Sequence, residues 1–299
     1  HVLSPNYFLF MIRFIINRLI LITACLFSTI HPTQAQENQL LWKVSGKGLK
    51  SPSYLFGTFH ILCDSSIASN PSLVKAMNNA KQLVVEADIT NPSFLQEAQQ
   101  KAVNPGMKNI YKEINPSDYA LISQFLTKKY GAGLDQLGVL KPFSLLSMVT
   151  LGFVPCEKIF SLETQFIQKM KRNQFPVHGL ETAAFQFELF DGIPLDIQIA
   201  EIVRLVQDEK GAEEFKAMAA DYLGGNINKL YAESFKNDMM QTYQSLLLDD
   251  RNKRWIPQLE QHFGSASTFV AVGAAHLPGP LGVVELLRKK GYTVEPVGM

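Results

Sequence analysis

Thr268-Phe269-Val270-Ala271-Val272-Gly273-Ala274-Ala275-His276-Leu277 is the stretch from which the fold is read. An uncharged apolar run is broken by a glycine and ended by a histidine. Such a short run, bounded by a breaker, predicts a buried strand. Helical spacing follows over Leu281 to Lys290, and a last β-type run covers Tyr292 to Val297. The other end of the chain has matching pieces. Leu40 to Val44 reads as a strand, Ser45 to Pro52 as a turn with Gly46 and Gly48, and Ser53 to Phe56 as the partner strand. That strand runs on into Gly57-Thr58-Phe59-His60. Two further short runs end in acids: Leu83 to Val85 at Glu86, and Phe175 to Leu180 at Glu181. Strands interleaved with helices at both ends predict an α/β fold with a mostly parallel central sheet.

The middle of the chain is helical in pattern. Apolar residues three and four apart mark Pro71 to Ala80, Pro92 to Ala102, Pro116 to Tyr130, Leu162 to Arg172, Ala183 to Phe190, Leu195 to Leu205, Ala212 to Leu223, and Ile227 to Phe263. This is more helix than simple crossovers need, so a large helical cap inserted between strands is expected. No short-period repeat and no composition break appears after residue 36. Residues 36–299 therefore read as one domain.

The first 35 residues read as a signal peptide. Arg13 and Arg18 precede an apolar run, Leu19 to Ile30, and Thr33-Gln34-Ala35 supplies a small-residue cleavage site. Cleavage after Ala35 is expected, with Met11 as the start and residues 1–10 as an upstream extension. Ile22-Thr23-Ala24-Cys25 also resembles a lipoprotein box, which would anchor the chain at Cys25. The apolar run is too short to span a bilayer comfortably.

The chain has 299 residues, 46% hydrophobic and 18% charged, enough to bury a large core. Its formal charge is +1, and losing Arg13 and Arg18 leaves 26 basic against 27 acidic residues. That balance gives no reason to expect a nucleic-acid or anionic-membrane partner. After cleavage two cysteines remain, Cys63 and Cys156. In an oxidising compartment an even pair predicts one disulfide, two buried thiols being the alternative. No Cys-x-x-Cys pattern supports thiol redox chemistry or a zinc–thiolate site.

Four buried-type strands thus deliver a histidine or a glutamate at their carboxyl ends: His60, Glu86, Glu181 and His276. Ligands of open parallel sheets bind at that rim. Glycine in each Gly-x-x-His lets backbone approach closely, and histidine offers a ring nitrogen to a metal or acts as a base near neutral pH. A lone histidine in such a place is as well explained by core hydrogen bonding; the matched pair is what points to chemistry. Glu86 suits a metal ligand, a partner of a histidine, or a base; its bland reading is a helix cap. Glu181 precedes a helix and has a stronger structural reading. Arg251 lies in Leu247-Leu248-Asp249-Asp250-Arg251-Asn252, either on a solvated charged face or as a guanidinium for an oxyanion. His178 and His262 lack matched context and read as structural. There is no Gly-x-Ser-x-Gly elbow, His-Glu-x-x-His helix, phosphate loop or dinucleotide fingerprint.

Taken in order, Gly57-Thr58-Phe59-His60, Val84-Val85-Glu86-Ala87-Asp88, Val177 to Thr182, Arg251-Asn252, and Val272 to Leu277 with Gly282 and Gly291-Tyr292 resemble the TraB/GumN family. The resemblance spans nearly all of the mature chain. It implies kinship to the TIKI metal-dependent proteases, to erythromycin esterase-like hydrolases and to a haem-handling bacterial lipoprotein. The site it implies is His60, Glu86 and His276, with Arg251 and Glu181 beside them and an acidic residue of unassigned role at Glu163.

The expected function is an exported metal-dependent hydrolase, most simply a peptidase. Zinc, manganese or cobalt would be bound by His60, Glu86 and His276, with Glu86, Glu181 and Arg251 in catalytic roles. The rivals are a metal-free His/Glu hydrolase of esterase type and a peptide- or haem-binding protein without turnover. The partner expected is a peptide or small-molecule substrate. Both imidazoles should lie close enough to share one ion, with Arg251 reaching down from the cap.

Overall fold

The computed structural model describes residues 38–207, 210–236 and 238–299. The signal-peptide reading, Cys25 included, falls on residues outside that set.

Six strands form one sheet in the order β4-β3-β5-β2-β1-β6. They are β1 (Leu41–Ser45), β2 (Ser53–Thr58), β3 (Gln82–Val85), β4 (Val177–Gly179), β5 (Thr268–Gly273) and β6 (Thr293–Val297). β2, β5, β3 and β4 are mutually parallel, whereas β1 pairs antiparallel with both β2 and β6. The α/β class and the mostly parallel sheet expected from the sequence are therefore present. β2, β3 and nearly all of β5 are buried along their length, because a sheet covered on both faces has no solvent side. Phe56, Phe166 and Phe269 form an aromatic group in the core beside them, Phe166 meeting the other two edge-on at 5.8 and 5.3 Å.

The crossovers are unequal. A 3-10 turn (Ser66–Ser69) and one α-helix, α1 (Pro71–Asn79), link β2 to β3. Between β3 and β4 stand α2 (Pro92–Lys101), α3 (Pro116–Tyr130), α4 (Pro142–Gly152) and α5 (Leu162–Arg172). Between β4 and β5 stand α6 (Ala183–Asp191), α7 (Leu195–Val206), α8 (Lys210–Leu223), α9 (Ile227–Ser234), α10 (Asp238–Thr242), a π-helical turn (Ser245–Asp249) and α11 (Asp250–Ser265). A last helix, α12 (Val283–Lys289), returns the chain to β6. This is the helical cap, with its own cores. Ile122, Leu126, Leu145, Val149, Ile199 and Ile202 are buried together in one, and Leu189, Ile193, Met239 and Leu247 in another.

Local chemistry explains the starts. Asn70-Pro71, Asn91-Pro92 and Asn115-Pro116 each place an asparagine that accepts backbone N–H bonds from the first turn and a proline at the first helical position. Two boundaries depart from the sequence reading. The strand expected over Phe175 to Leu180 is regular only for three residues, on an edge of the sheet. The long helical run expected over Ile227 to Phe263 is divided into α9, α10, the π turn and α11. Among the described residues no helix is long and apolar enough to cross a membrane.

Cys63 and Cys156 are disulfide-bonded, with Cα atoms 5.7 Å apart. Next to the bond, Leu62 and Phe160 exchange backbone hydrogen bonds at 2.9 and 2.8 Å. Together they fasten the loop after β2 to the segment that leads into α5.

Candidate active site at the carboxyl rim of the sheet

The parallel register fixes the site. Thr58 of β2 lies opposite Gly273 of β5, and Val85 of β3 opposite Ala271. The residues that follow these strands leave the sheet at one rim. Between β3 and β4 the pairing continues past the strands, Glu181 N–H donating to the Glu86 carbonyl at 2.8 Å. That step sets the two glutamates side by side.

The motif glycines have distinct reasons. A Cβ on Gly57 would stand 3.0 Å from the Ala274 Cα, so glycine permits β5 to leave the sheet against β2. A Cβ on Gly273 would occupy the site itself, 3.1 Å from Glu86 Oε1 and 3.5 Å from both His60 Nε2 and His276 Cδ2. The two rings and Glu86 therefore share one small space, and the rings lie within twice that distance of each other. Gly273 N–H donates to Glu86 Oε1 at 2.6 Å.

Each histidine is held from behind. His60 Nδ1 donates to Glu163 Oε1 at 2.6 Å, and Ser161, the cap of α5, donates to the other oxygen of Glu163 at 3.2 Å. His276 Nδ1 donates to Asn252 Oδ1 at 2.6 Å. The Asn252 amide is oriented by its own donation to the Leu281 carbonyl at 2.9 Å. Bonded in this way, both rings turn Nε2 toward the shared space.

Arg251 closes the arrangement. Its Nε and Nη2 donate to Glu181 at 2.8 and 2.7 Å, Nη2 donates to Glu86 Oε2 at 2.7 Å, and Nη1 donates to the Leu247 carbonyl at 3.0 Å and to His276 Nε2 at 3.2 Å. Trp255 Nε1 donates to Glu181 Oε1 at 2.9 Å. The Arg251 side chain is only 12% exposed, so the solvated-face reading of its helix does not apply to it.

The electrostatics follow from these partners. Burial opposes charge on His60, but the hydrogen bond and charge of Glu163, with Glu86 behind, raise its pKa to about 9. The ring is crowded by the atoms around it, yet much of its side chain is open to the cavity. Burial, aided by Arg251 and His60 and opposed by Glu86, pulls His276 down to about 3. Burial pushes Glu86 upward, but the His276 ring, the Arg251 and His60 charges and the Gly273 amide outweigh it and hold the carboxyl well below the usual range. Burial also works against charged Glu163, and its His60 partner overcomes that, lowering it.

The structure thus brings together His60, Glu86, Glu181, Arg251 and His276. Sequence reasoning left Glu163 without a role and gave Asn252 none. One signal was available: Leu162-Glu163-Thr164 and Leu180-Glu181-Thr182 repeat a tripeptide at the start of a helix. Each copy gives a buried carboxylate that holds a cation or ring of the site. His178 and His262 lie apart from the cluster and pack on each other, ring centroids 4.6 Å apart.

The donor set suits a divalent metal in kind: two imidazole Nε2 atoms and a carboxylate. With both rings neutral, as metal ligands must be, three carboxylates (Glu86, Glu163, Glu181) face one guanidinium, a surplus of two negative charges; with His60 protonated, as its raised pKa favours without an ion, the surplus is one. As placed, Arg251 Nη1 stands at the His276 nitrogen, and among the described residues no three His, Cys, Asp or Glu side chains are at metal-binding spacing. Two cavities meet here, of about 410 and 550 Å³, and both are lined by His60, Phe190, Met240 and Arg251.

No curated protein and no solved structure matches the chain. A family model does, over residues 40–296, which takes in β1 to β5, all of β6 but its last residue, and every residue of the cluster. By that match the chain belongs to the TraB/PrgY/gumN family.

Proposed function

We propose that the protein is an exported hydrolase of the peptidase kind, with His60, Glu86 and His276 as ligands of a divalent metal ion. One observation carries this reading. Both rings give Nδ1–H to a fixed oxygen, Glu163 or Asn252, so both Nε2 atoms are presented to the space beside Glu86. The negative surplus of the cluster favours a divalent cation there. Such an ion, when bound, polarises a carbonyl and lowers the pKa of a water molecule; zinc, manganese and cobalt all suit the donors. The chain's own groups do the rest. Glu181 fixes Arg251 through two hydrogen bonds, and the Nη1–H that now points at His276 Nε2 is the donor that a carbonyl oxygen gaining charge would take. Glu86 serves as third ligand or as the base that takes a proton from the attacking water. The Cys63–Cys156 bond supports export, since such bonds persist in oxidising compartments.

A metal-free hydrolase is the second reading, favoured by the Arg251 hydrogen bond to His276 Nε2, which occupies the lone pair an ion would need. Here His60 would be the acid and Glu86 the base. The test is elemental analysis of the mature protein, purified without metal-affinity resin, with peptide hydrolysis measured before and after chelation. Bound metal and chelation-sensitive hydrolysis are expected. Hydrolysis by metal-free protein would select the second reading, and no hydrolysis with any of the three metals would overturn both.

A further inference from the structure

The two cavities at the cluster differ in their walls. The first, about 410 Å³, is walled mainly by apolar and aromatic side chains of the cap and the β2 loop, among them Phe59, Phe153, Phe215, Met218, Leu230 and Leu248. Among the described residues its one charged lining residue away from the cluster is Glu214, which is paired with Arg204 at 2.7 Å. The second, about 550 Å³, reaches over the end of β3 and is lined by Ser161 and Gln186 as well as Ile89 and Phe143. Its acids, Glu86 and Glu163, are paired with Arg251 and His60.

Three consequences follow. A reacting group placed between His60 and Arg251 has room on both sides, so the substrate need not end there. Neither cavity offers an unpaired charge among the described residues, which a terminal amine or carboxylate would need for capture. The first cavity is apolar and far larger than the roughly 150 Å³ that accepts benzene.

We propose that this first cavity is the subsite for a bulky apolar side chain next to the bond cleaved, and that the chain continues through the second cavity. The protein would then cut within peptides at leucine-, methionine- or phenylalanine-sized residues. This inference rests on the peptidase reading above. In the cleavage, water adds across the amide: its oxygen bonds to the carbonyl carbon, the C–N bond breaks, and a proton passes to the leaving nitrogen. No redox partner is required.

The experiment uses mature protein and decapeptides blocked at both ends, with Leu-Leu, Phe-Phe, Ala-Ala or Asp-Asp at the centre. Each is assayed by mass spectrometry with zinc, manganese or cobalt. Two variants narrow the cavity: Met218→Trp in its wall, and Thr150→Trp at its exposed edge, where the core is untouched. Internal cleavage of the Phe and Leu peptides at least about tenfold faster than of the Ala peptide is expected. Both variants should reduce the Phe-to-Ala ratio of kcat/KM by about tenfold. Cleavage that ignores the central residues, or that needs free termini, would overturn the subsite and leave the peptidase reading standing. No cleavage with any metal would overturn the peptidase reading, and calorimetric binding of the same peptides then decides the subsite. Weaker binding of the Phe peptide by both variants would uphold it; unchanged binding would overturn it.

Discussion

The two Gly-x-x-His ends occupy neighbouring parallel strands, yet they are built differently. The His276 side chain is 7% exposed and belongs to a closed web of Asn252, Arg251 and Trp255. The His60 side chain is 61% exposed to the cavity and depends on one partner, Glu163, supplied by a helix more than a hundred residues away. The difference teaches that a motif fixes where a ring stands, while its neighbours fix what it can do. His276 is an anchored, neutral acceptor. His60 is the ring that is open to the cavity, held by a loop that the disulfide fastens down.

The largest effects should fall on turnover. His60→Ala and His276→Ala are each expected to lower kcat/KM by about a thousandfold or more, measured on any cleaved peptide. Urea unfolding should then separate them. His276→Ala strands Asn252 and Arg251 donors and acceptors in the interior, at about 1–3 kcal/mol, and His60→Ala costs much less. Equal losses of stability would break the comparison.

Next comes Arg251→Ala. It leaves Glu86 and Glu181 buried without their cation, and breaking such a pair costs about 3–5 kcal/mol. A variant that melts like the parent would show that the web around His276 bears little strain. On the other side, Glu163→Gln keeps the shape and removes the charge behind His60. A loss of about 10–100-fold in activity or metal affinity is expected, with near-native unfolding. If stability falls instead and activity holds, Glu163 is only a structural partner.

The smallest effect lies away from the site, at His262. Burial and the neighbouring His178 lower its pKa below the ordinary 6.5. The unfolded chain therefore takes up the proton first as pH falls. Stability from this group is complete above about 6.5 and declines on acidification towards the lower folded value. His262→Asn should flatten the dependence of the urea midpoint on pH in that window, and an unchanged slope would remove the pair as its source.

Much of this was legible in the residues. Leu83-Val84-Val85 and Phe269 to Val272 announce buried strands because both faces are covered and no alternation is needed. His60, Glu86, Glu181 and His276 could be found because each follows such a run. The rest depends on contacts that no local pattern encodes. β4 is short because it sits on an edge, with one neighbour to pair it. The π turn before Arg251 shifts the helix phase, so 3.6-residue spacing carried through it misassigns that helix face. Glu163 and Asn252 acquire their roles only when folding brings them to rings 103 and 24 residues distant.

The place of β5 between β3 and β2 has a consequence for the order of assembly. The strand that fills the middle of the parallel sheet is the fifth of the six in chain order. Until it arrives, β2 and β3 have an empty slot between them, and their facing edges are unsatisfied. Neither Gly273 nor His276 is then in place, and Arg251 has emerged only shortly before. A nascent chain that lacks β5 can therefore not yet hold the cluster. Completion of the cluster is thus tied by strand order to the insertion of β5, and the interval before it is when the open edges of β2 and β3 are most exposed to wrong partners.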